Sequence, residues 1–298
     1  MKKLLLLFLS LQCLIFLFGQ KTDKRLQKKL EESIQGFKGD IGIYVKNIRT
    51  GKIVSINADT IFPTASIVKV PILLGIMDKI QKGELAYDSA LVYKDSLLYE
   101  GEDILGSFKN DEKILLKKVM MLMLTTSDNT ASLWLQSLAG KGPRINEILD
   151  SLGLVYTRVN SRTPGRENNR TQYGWGQTTP KEMGTIFEKI YRNEIFSAAA
   201  CDRMMRSLGR NYWDLNEAIS QIPPYIEIFS KNGCVNASRS EVLLVNGPHN
   251  PYIFCIFTKN NKDTQWTHEN EAWTMARKIS LLLWKYFEKK DNWEPPKK

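Results

Sequence analysis

Runs of alternating apolar and polar residues stand at both ends of this chain, and they constrain its fold more than any other feature. Such alternation is typical of β-strands with one buried face. Near the N-terminus, two runs flank the turn Arg49-Thr50-Gly51 and predict a hairpin. The predicted strands are Ile41 to Asn47, Lys52 to Asn57, Tyr225 to Ser230, Glu241 to Val245 and Tyr252 to Thr258. We therefore expect one antiparallel sheet built from both ends of the chain.

The middle of the chain has a helical pattern instead, almost throughout residues 66–154. Apolar residues recur there three and four positions apart, as they do in amphipathic helices. Residues 158–177 are polar and predict a loop. The predicted helices are Asp23 to Gly36, Ser66 to Lys82, Glu112 to Thr125, Thr130 to Leu138, Arg144 to Leu152, Thr178 to Asn193, Ser197 to Ser207 and Trp273 to Phe287.

This order of elements predicts an α/β (α+β) fold. The antiparallel sheet would be flanked by helices, and an all-α lobe would be inserted into the chain between its two halves. We expect residues 20–60 and 180–298 to form the sheet lobe, and residues 61–179 to form the helical lobe. No repeat or low-complexity linker interrupts residues 20–298, so we expect one domain there.

The first 19 residues predict a secretory signal peptide. Met1-Lys2-Lys3 is a short positive region, residues 4–18 are an apolar run, and Gly19 offers a cleavage point before charged sequence. The run is too short for a spanning helix, and no later stretch is long and apolar enough to be one. We therefore expect secretion across the inner membrane, into the periplasm, without a stable membrane span.

Composition and residue spacing argue against a nucleic-acid partner, a disulfide framework and a zinc site. The net charge of +10 falls to +8 once the leader is removed, but no basic block is interleaved with aromatic residues. We therefore predict no nucleic-acid partner. The remaining cysteines, Cys201, Cys234 and Cys255, are odd in number and unclustered, which predicts neither a disulfide framework nor a zinc site. With only His249 and His268 in the chain, we expect no di-zinc centre.

Ser66 and Lys69 form the only S-x-x-K in the chain. Ser66 opens a predicted helix, where free N–H groups and the positive end of the helix dipole lie beside its hydroxyl. Lys69 would follow one turn later on the same face. A serine without a histidine needs another base, and a lysine held neutral by burial can serve. The structural alternative is that Ser66 is only a helix N-cap.

Two further polar clusters follow in order. Ser127-Asp128-Asn129 lies between two predicted apolar helices, 61 residues after Ser66. Lys231-Asn232-Gly233 lies at the end of a predicted strand, 165 residues after Ser66. Taken separately, the first cluster is typical of a helix cap and the second of a turn. Their order and separations favour one shared site.

The three motifs together resemble the class A β-lactamase and penicillin-binding family, whose signature is S-x-x-K, then S-D-N, then K-T-G. The resemblance covers essentially the whole mature chain, including Thr178-Thr179-Pro180 at the start of a helix. It implies a serine hydrolase without metal or cofactor. It also implies a monomer whose partner is a small-molecule β-lactam or a cell-wall peptide ending in D-alanyl-D-alanine.

The resemblance implies a role for each motif residue. Ser66 would be the nucleophile and Lys69 its base. Ser127 would relay a proton to the leaving nitrogen, and Asn129 would bind the side-chain amide of the substrate. Lys231 would supply positive potential near Ser127 and the substrate carboxylate.

The strand after Lys231 would bind the oxyanion. Its hole would be formed by the N–H groups of Ser66 and Cys234, the residue after Gly233, and the Cys234 thiol would have no catalytic role. Arg239, near the start of the next predicted strand, is either a partner for the substrate carboxylate or a solvated hairpin residue.

Two departures from the family pattern concern substrate binding and water. Asn232 stands where the family has threonine, and its amide could still donate to a carboxylate. Counting back from Pro180 places Thr163 where the family carries its hydrolytic glutamate. Glu167 is the nearest acid, and it either replaces that glutamate or pairs with Arg166 or Arg170.

Several other activities on the same fold stay open. A D-alanyl-D-alanine peptidase, an esterase and a penicillin-binding sensor that acylates and stalls differ mainly in how water reaches the acyl-enzyme. A Ser-His-Asp hydrolase would need a G-x-S-x-G elbow, which the sequence lacks. A catalytically dead cell-wall binding protein would not need the complete set of nucleophile, lysines and serine.

Overall fold

Helices and strands alternate along this computed structural model, which describes residues 21–101, 104–209 and 211–296. The signal peptide predicted at residues 1–19 lies outside the described residues. The α-helices are α1 (Lys24–Ser33), α2 (Lys69–Gln81), α3 (Leu116–Met121), α4 (Asn129–Leu138), α5 (Lys141–Ser151), α6 (Glu167–Tyr173), α7 (Pro180–Tyr191), α8 (Ala198–Leu208) and α9 (Glu271–Phe287). The strands are β1 (Asp40–Asn47), β2 (Ile53–Ile56), β3 (Phe62–Pro63), β4 (Ala90–Val92), β5 (Lys113–Leu115), β6 (Arg158–Val159), β7 (Gly176–Thr178), β8 (Ile228–Val235), β9 (Ser238–Val245) and β10 (Tyr252–Lys259).

Five strands from the two ends of the chain form the main sheet, in the order β2-β1-β10-β9-β8. Every neighbouring pair is antiparallel. The predicted α/β (α+β) fold, with an antiparallel sheet drawn from both chain ends and helices inserted between them, is confirmed. Strand β8 lies at an edge of this sheet, so one side of its backbone is open to the segment that carries Ser66.

The sheet is buried on both faces, because successive side chains of a strand point to opposite sides. Along β9, Val242 and Leu244 belong to a core shared with the inserted helices and α7. Leu243 and Val245 belong to a second core, which α1 and α9 complete. The inner strands β9 and β10 are therefore buried along almost their whole length, and their central residues do not alternate strictly between apolar and polar.

The inserted segment is organised around α2, in which every residue from Lys69 to Met77 is buried. The prediction of helix almost throughout this segment is wrong at two places. Ala90–Val92 pairs with Lys113–Leu115, so the helix expected from Glu112 begins only at Leu116. That helix also ends in a π-helical stretch, Leu122–Thr126, rather than in a regular turn.

The segment predicted as a loop at residues 158–177 contains short elements. Strand β6 pairs with β7, β7 pairs with β3, and α6 lies between β6 and β7. The predicted lobe boundaries near residues 60 and 180 stay predictions, because one hydrophobic cluster joins inserted helices such as α2 to sheet residues. Among the described residues, the helices are all too short or too polar to span a bilayer.

Strand β8 differs most from its prediction. It was expected to end at Ser230, but it runs from Ile228 to Val235 and is paired with β9 along its whole length. Lys231, Asn232 and Gly233 therefore lie inside an edge strand rather than in a turn. Glycine weakens strands in general, and it is retained where another backbone approaches closely.

Candidate active site

Ser66 lies in a tight turn that joins β3 to α2. The turn is a short 3-10 helix, Ala65–Val68, and α2 continues directly from Lys69. Ala65 has a φ of +44°, an uncommon conformation for a residue with a side chain. Such conformations cost free energy and persist only where the surroundings impose them. The turn presents Ser66 to an open cleft, whose lining is described below.

Lys69 is fully buried directly behind Ser66. Its Nζ lies 3.0 Å from Ser66 Oγ, 3.0 Å from Ser127 Oγ and 2.8 Å from Asn129 Oδ1. It also donates to the backbone carbonyl of Ser127. The expected approach of Lys69 to the Ser66 hydroxyl is therefore present, and the lysine reaches both hydroxyls that proton transfer would need.

The Ser127-Asp128-Asn129 cluster is both a helix cap and part of the site. Ser127 ends the π-helical stretch with a φ of +61°, which turns the chain toward Lys69. Asp128 caps α4, accepting from Ala131 N at 2.7 Å, and its other oxygen accepts from Leu105 N at 2.8 Å. Asp128 thus fixes the backbone on which Ser127 and Asn129 reach Lys69.

Gly233 brings edge strand β8 against the nucleophile turn. A Cβ at this position would overlap the Thr64 carbonyl and would lie 2.9 Å from Ser66 N and 3.0 Å from Ile67 N. Only glycine allows this approach without a shift of one backbone. Ser66 and Cys234 both line the cleft, as the expected oxyanion hole requires.

Lys231 is fully buried on β8. Its Nζ donates to the backbone carbonyl of Asn232 at 2.9 Å and to Asn232 Oδ1 at 3.1 Å. The Asn232 amide nitrogen donates in turn to Glu217 Oε1 at 3.0 Å. Asn232 was expected to offer its amide to a substrate carboxylate, but the structure engages that amide with the carboxylate of Glu217.

Two buried acids complete this cluster, and the sequence motifs did not indicate either. Glu217 is 7% exposed and Glu241 is 3% exposed. Glu241 lies opposite Asn232 in the register of β8 and β9, and its carboxylate accepts from Ala218 N at 2.6 Å and Ile219 N at 3.2 Å. The sequence did offer one signal for Glu241, because an acid within a predicted strand is unusual. It offered none for Glu217, which directly precedes a short 3-10 helix.

Burial shifts the pKa of every charged group in this cluster. It lowers the pKa of Lys231 to about 8, with nearby Glu217 opposing the shift. It raises the pKa of Glu241 to about 8, and it raises the pKa of Glu217. Lys231 is therefore desolvated inside the protein beside the carboxyl groups of Glu217 and Glu241, rather than presented alone to a ligand.

Arg239 is held by protein groups on the far side of β9 from the core that contains Val242. It is 3% exposed, so the solvated-hairpin interpretation is wrong. Its guanidinium donates to the carbonyls of Ser238 and Gln265, each at 3.1 Å, and stacks at 4.2 Å from the Trp266 ring and 4.8 Å from the Trp273 ring. Arg239 is not among the residues that line the cleft, and no contact supports its expected role toward a substrate carboxylate.

Thr163 and Glu167 both lie in the segment between β6 and β7. Thr163 Oγ1 donates to Val159 O at 2.9 Å and to Ser161 O at 3.1 Å. Glu167 is exposed at the start of α6 and accepts from Gly165 N at 3.1 Å. None of the ion pairs among the described residues joins Glu167 to an arginine, and neither Thr163 nor Glu167 lines the cleft.

The cleft beside Ser66 has a volume of about 590 Å³. Tyr99 and Trp175 meet edge to face over it, with ring centroids 5.3 Å apart. Its lining residues are Pro63, Ala65, Ser66, Tyr99, Asn129, Gln172, Tyr173, Gly174, Trp175, Cys234, Val235, Ala237, Ser238, Lys259 and Asn260. In the described part of the chain this lining contains no acid, and burial raises the pKa of the Cys234 thiol to about 12, so that thiol is not a nucleophile near neutral pH.

Comparison with known proteins agrees with this arrangement. The family model described as the β-lactamase enzyme family matches residues 25–287. The chain is 23% identical to β-lactamase VEB-1 of Pseudomonas aeruginosa, over 96% of this chain and 98% of that protein. The penicillin G acyl-enzyme complex of a PBP-A mutant has a TM-score of 0.79 and 23% identity, covering 91% of this chain and 99% of its own.

The structure of a class A β-lactamase from Bacteroides cellulosilyticus DSM 14838 is similar to this chain to the same degree. Its TM-score is 0.79 at 18% identity, over 92% of this chain and 100% of its own. At such identities the likeness to solved structures establishes the fold, and the family match extends over most of the sequence. The chain therefore belongs to the β-lactamase enzyme family.

Proposed function

We propose that this protein is an exported serine hydrolase of the class A type, which β-lactams acylate at Ser66. Membership of the β-lactamase enzyme family supports β-lactam hydrolysis in general. The observation that carries the finer proposal is the position of Lys69 Nζ, 3.0 Å from the hydroxyls of both Ser66 and Ser127. Lys69 thus contacts both the Ser66 hydroxyl, which must lose a proton, and the Ser127 hydroxyl, which would pass a proton to the leaving nitrogen.

In the acylation step, the unprotonated amine of Lys69 accepts the Ser66 proton while Ser66 Oγ bonds to the lactam carbonyl carbon. The oxyanion formed on the carbonyl oxygen is stabilised by the N–H groups of Ser66 and Cys234. The carbon–nitrogen bond of the lactam then breaks, and the leaving nitrogen takes a proton from Ser127. Ser127 regains a proton from Lys69, so the products are the ester and a neutral amine base.

Asn129 and Lys231 serve binding in this proposal. Asn129 lines the cleft, and its Oδ1 accepts from Lys69. In this proposal the Asn129 amide binds the side-chain amide of the substrate, beside the catalytic lysine. Lys231 acts on the lactam carboxylate from a buried position beside Glu217 and Glu241. Arg239 adds nothing to this recognition, because its guanidinium is occupied elsewhere.

A second candidate is a penicillin-binding protein that turns over slowly, which differs only in deacylation. The observation that favours it is the absence of an acid among the described residues that line the cleft. General-base catalysis of water attack typically contributes about a hundred- to ten-thousandfold, and that contribution would be missing. A D-alanyl-D-alanine peptide would acylate Ser66 by the same steps.

Intact-protein mass spectrometry with benzylpenicillin tests the proposal. We expect wild type to gain the mass of one penicillin, and Ser66→Ala to gain nothing. Ser151→Ala is the control, because Ser151 is an exposed serine at the end of α5. Labelling of Ser66→Ala equal to that of wild type would contradict the proposal, as would unlabelled wild type across several lactam classes.

Export to the periplasm and a monomeric state are further parts of the proposal. Export is supported by the charged and apolar composition of residues 1–19. N-terminal sequencing of the protein secreted by its host tests it, with a start near Gln20 as the expected result.

A further inference from the structure

We propose that Lys259 is a specificity-determining residue that binds a carboxylate on the acyl side chain of a β-lactam. This inference rests on the proposed function, because it concerns the cleft that Ser66 opens into. Lys259 belongs to none of the three sequence motifs and is the last residue of β10.

The side chain of Lys259 is held at the cleft by two contacts. Its Nζ donates to the backbone carbonyl of Ile61 at 2.9 Å and lies 5.1 Å from the centre of the Phe62 ring. Ile61 and Phe62 lie before the turn that carries Ser66, with Pro63 and Thr64 between them and Ala65. The ammonium is therefore held by the segment that leads to Ser66, and Lys259 lines the same cleft as Ser66.

Lys259 forms no ion pair with another described residue, although Asp40 lies opposite it in the register of β1 and β10. The Asp40 carboxylate instead accepts from Asn260 Nδ2 at 2.8 Å. Among the described residues that line the cleft, Lys259 carries the only formal charge.

Lys231, another lysine of the sheet, differs from Lys259 in burial and in its neighbours. Lys231 is fully buried, its ammonium is turned to Asn232, and Glu217 and Glu241 lie within the same cluster. The accessible positive charge of the cleft is thus at the Lys259 end of the sheet. An anionic ligand group is attracted to an uncompensated, partly desolvated cation.

The substrate's acyl side chain is the group that reaches Lys259. Asn129, assigned above to the side-chain amide, lines the same cleft as Lys259, Ser238 and Asn260. Ser127 and Lys231, which act on the leaving nitrogen and the lactam carboxylate in the proposed mechanism, are not in this lining. Substituents beyond the amide therefore extend toward Lys259, with Ser238 and Asn260 as neutral hydrogen-bonding neighbours.

Two penicillins that differ by one carboxylate test this inference. Benzylpenicillin and its α-carboxy derivative, carbenicillin, share the rest of their structure. The measured quantity is the ratio of their second-order acylation rate constants, carbenicillin over benzylpenicillin, from time-resolved intact-protein mass spectrometry. A general loss caused by a distorted cleft cancels in this ratio.

We expect Lys259→Met to lower the ratio about fivefold, the upper end of what a solvent-accessible ion pair contributes. Lys259→Arg keeps the charge and should keep most of the wild-type ratio. Lys118→Met removes one exposed lysine from α3, away from the cleft, and should leave the ratio unchanged. The wild-type ratio should also fall as salt is raised, because accessible charges are screened.

An equal ratio in wild type and Lys259→Met would overturn the inference while leaving acylation at Ser66 intact. An equal fall of the ratio in Lys118→Met would overturn it as well, since net charge alone would then explain the effect. Failure of both penicillins to acylate wild type is a different result, and it would remove the proposed function together with this inference.

Discussion

At the scale of single residues, the contacts of Lys69 explain why a chain with two histidines can carry serine chemistry. Its Nζ is fully buried, and the oxygens of Ser66, Ser127 and Asn129 hold it in one position. Arginine could not replace it, since a guanidinium does not give up its proton in proteins.

Replacing Lys69 by alanine should slow acylation by about a thousandfold, within the range that positioned acid–base groups contribute. Lys69→Arg should be slowed comparably, because it keeps a positive charge but supplies no base. Stopped-flow acylation by benzylpenicillin measures both. Acylation of Lys69→Ala at the wild-type rate would remove lysine from the mechanism.

The cluster of Glu241, Glu217 and Lys231 makes folding stability depend on pH. The pKa of Glu241 is about 8 in the folded protein, against an ordinary value of 4.5, so the folded state retains a proton that the unfolded state loses between these values. The contribution of this raised pKa to the free energy of unfolding is fully present below pH 4.5 and is lost as the pH rises to about 8. Glu217 acts in the same direction.

We expect Glu241→Gln to flatten this dependence, because glutamine does not titrate. Its single amide oxygen can accept from one of the backbone N–H groups of residues 218 and 219, so the variant is compared by the slope with pH and not by absolute stability. The urea midpoint should fall between pH 5 and pH 8 in wild type and should fall less in the variant. Lys231 affects folding stability over a different pH range. Its lowered pKa destabilises the folded state below about pH 8, and this effect disappears as the pH rises toward 10.5. Parallel curves for the two proteins would contradict the prediction.

At the scale of elements, the site depends on the packing of β8 against the turn Ala65–Val68. These two segments are far apart in the chain, and Gly233 is the point at which their backbones meet. The edge position of β8 leaves that side of the strand open for this contact and for a substrate backbone. An insertion or side chain here would displace the oxyanion donors relative to Ser66.

Gly233→Ala should therefore lower the acylation rate constant by about a hundredfold, since displacement of a reacting group by about 1 Å has an effect of that size. Gly209→Ala is the matched control, because a Cβ there would have its nearest neighbour at 3.4 Å. Both variants are compared by acylation rate and by thermal unfolding. A Gly233→Ala variant that acylates like Gly209→Ala would show that the close approach is not required.

At the scale of the whole molecule, the site lies where the sheet, α2 and the segment between β6 and β7 meet. The sheet supplies β8 and Lys259, α2 supplies Lys69, and the β6–β7 segment supplies Gln172 to Trp175. Because no one unit contains the complete site, acylation reports on the assembled fold. Thr163 and Glu167 also lie in the β6–β7 segment, but neither is among the residues that line the cleft.

Turnover of benzylpenicillin should show burst kinetics, with one equivalent reacting quickly before a slow steady state. Glu167→Gln should leave both phases almost unchanged, because Glu167 is exposed and its contact is with Gly165 N. Stopped-flow absorbance of the lactam measures the two phases in one experiment. A steady-state rate that collapses in Glu167→Gln, with the burst preserved, would identify Glu167 as the hydrolytic base.

The sequence by itself determined the order of the longer helices and of the main-sheet strands, the sheet drawn from both ends of the chain and the contact between Ser66 and Lys69. These features are local, because periodicity is visible within one element and an i, i+3 spacing fixes two side chains on one face. The same local signals failed where pairing decided the structure, as at β4 and β5, whose strands pair across intervening residues.

Only the tertiary structure decided which groups surround the motifs. Glu217 reaches Asn232 from a different segment, Glu241 does so through the register of β8 and β9, and Arg239 stacks between Trp266 and Trp273. Lys259 reaches the cleft through Ile61, 198 residues away in the chain. Contacts of this kind depend on how separate elements pack and in what register, and no spacing within one segment encodes them.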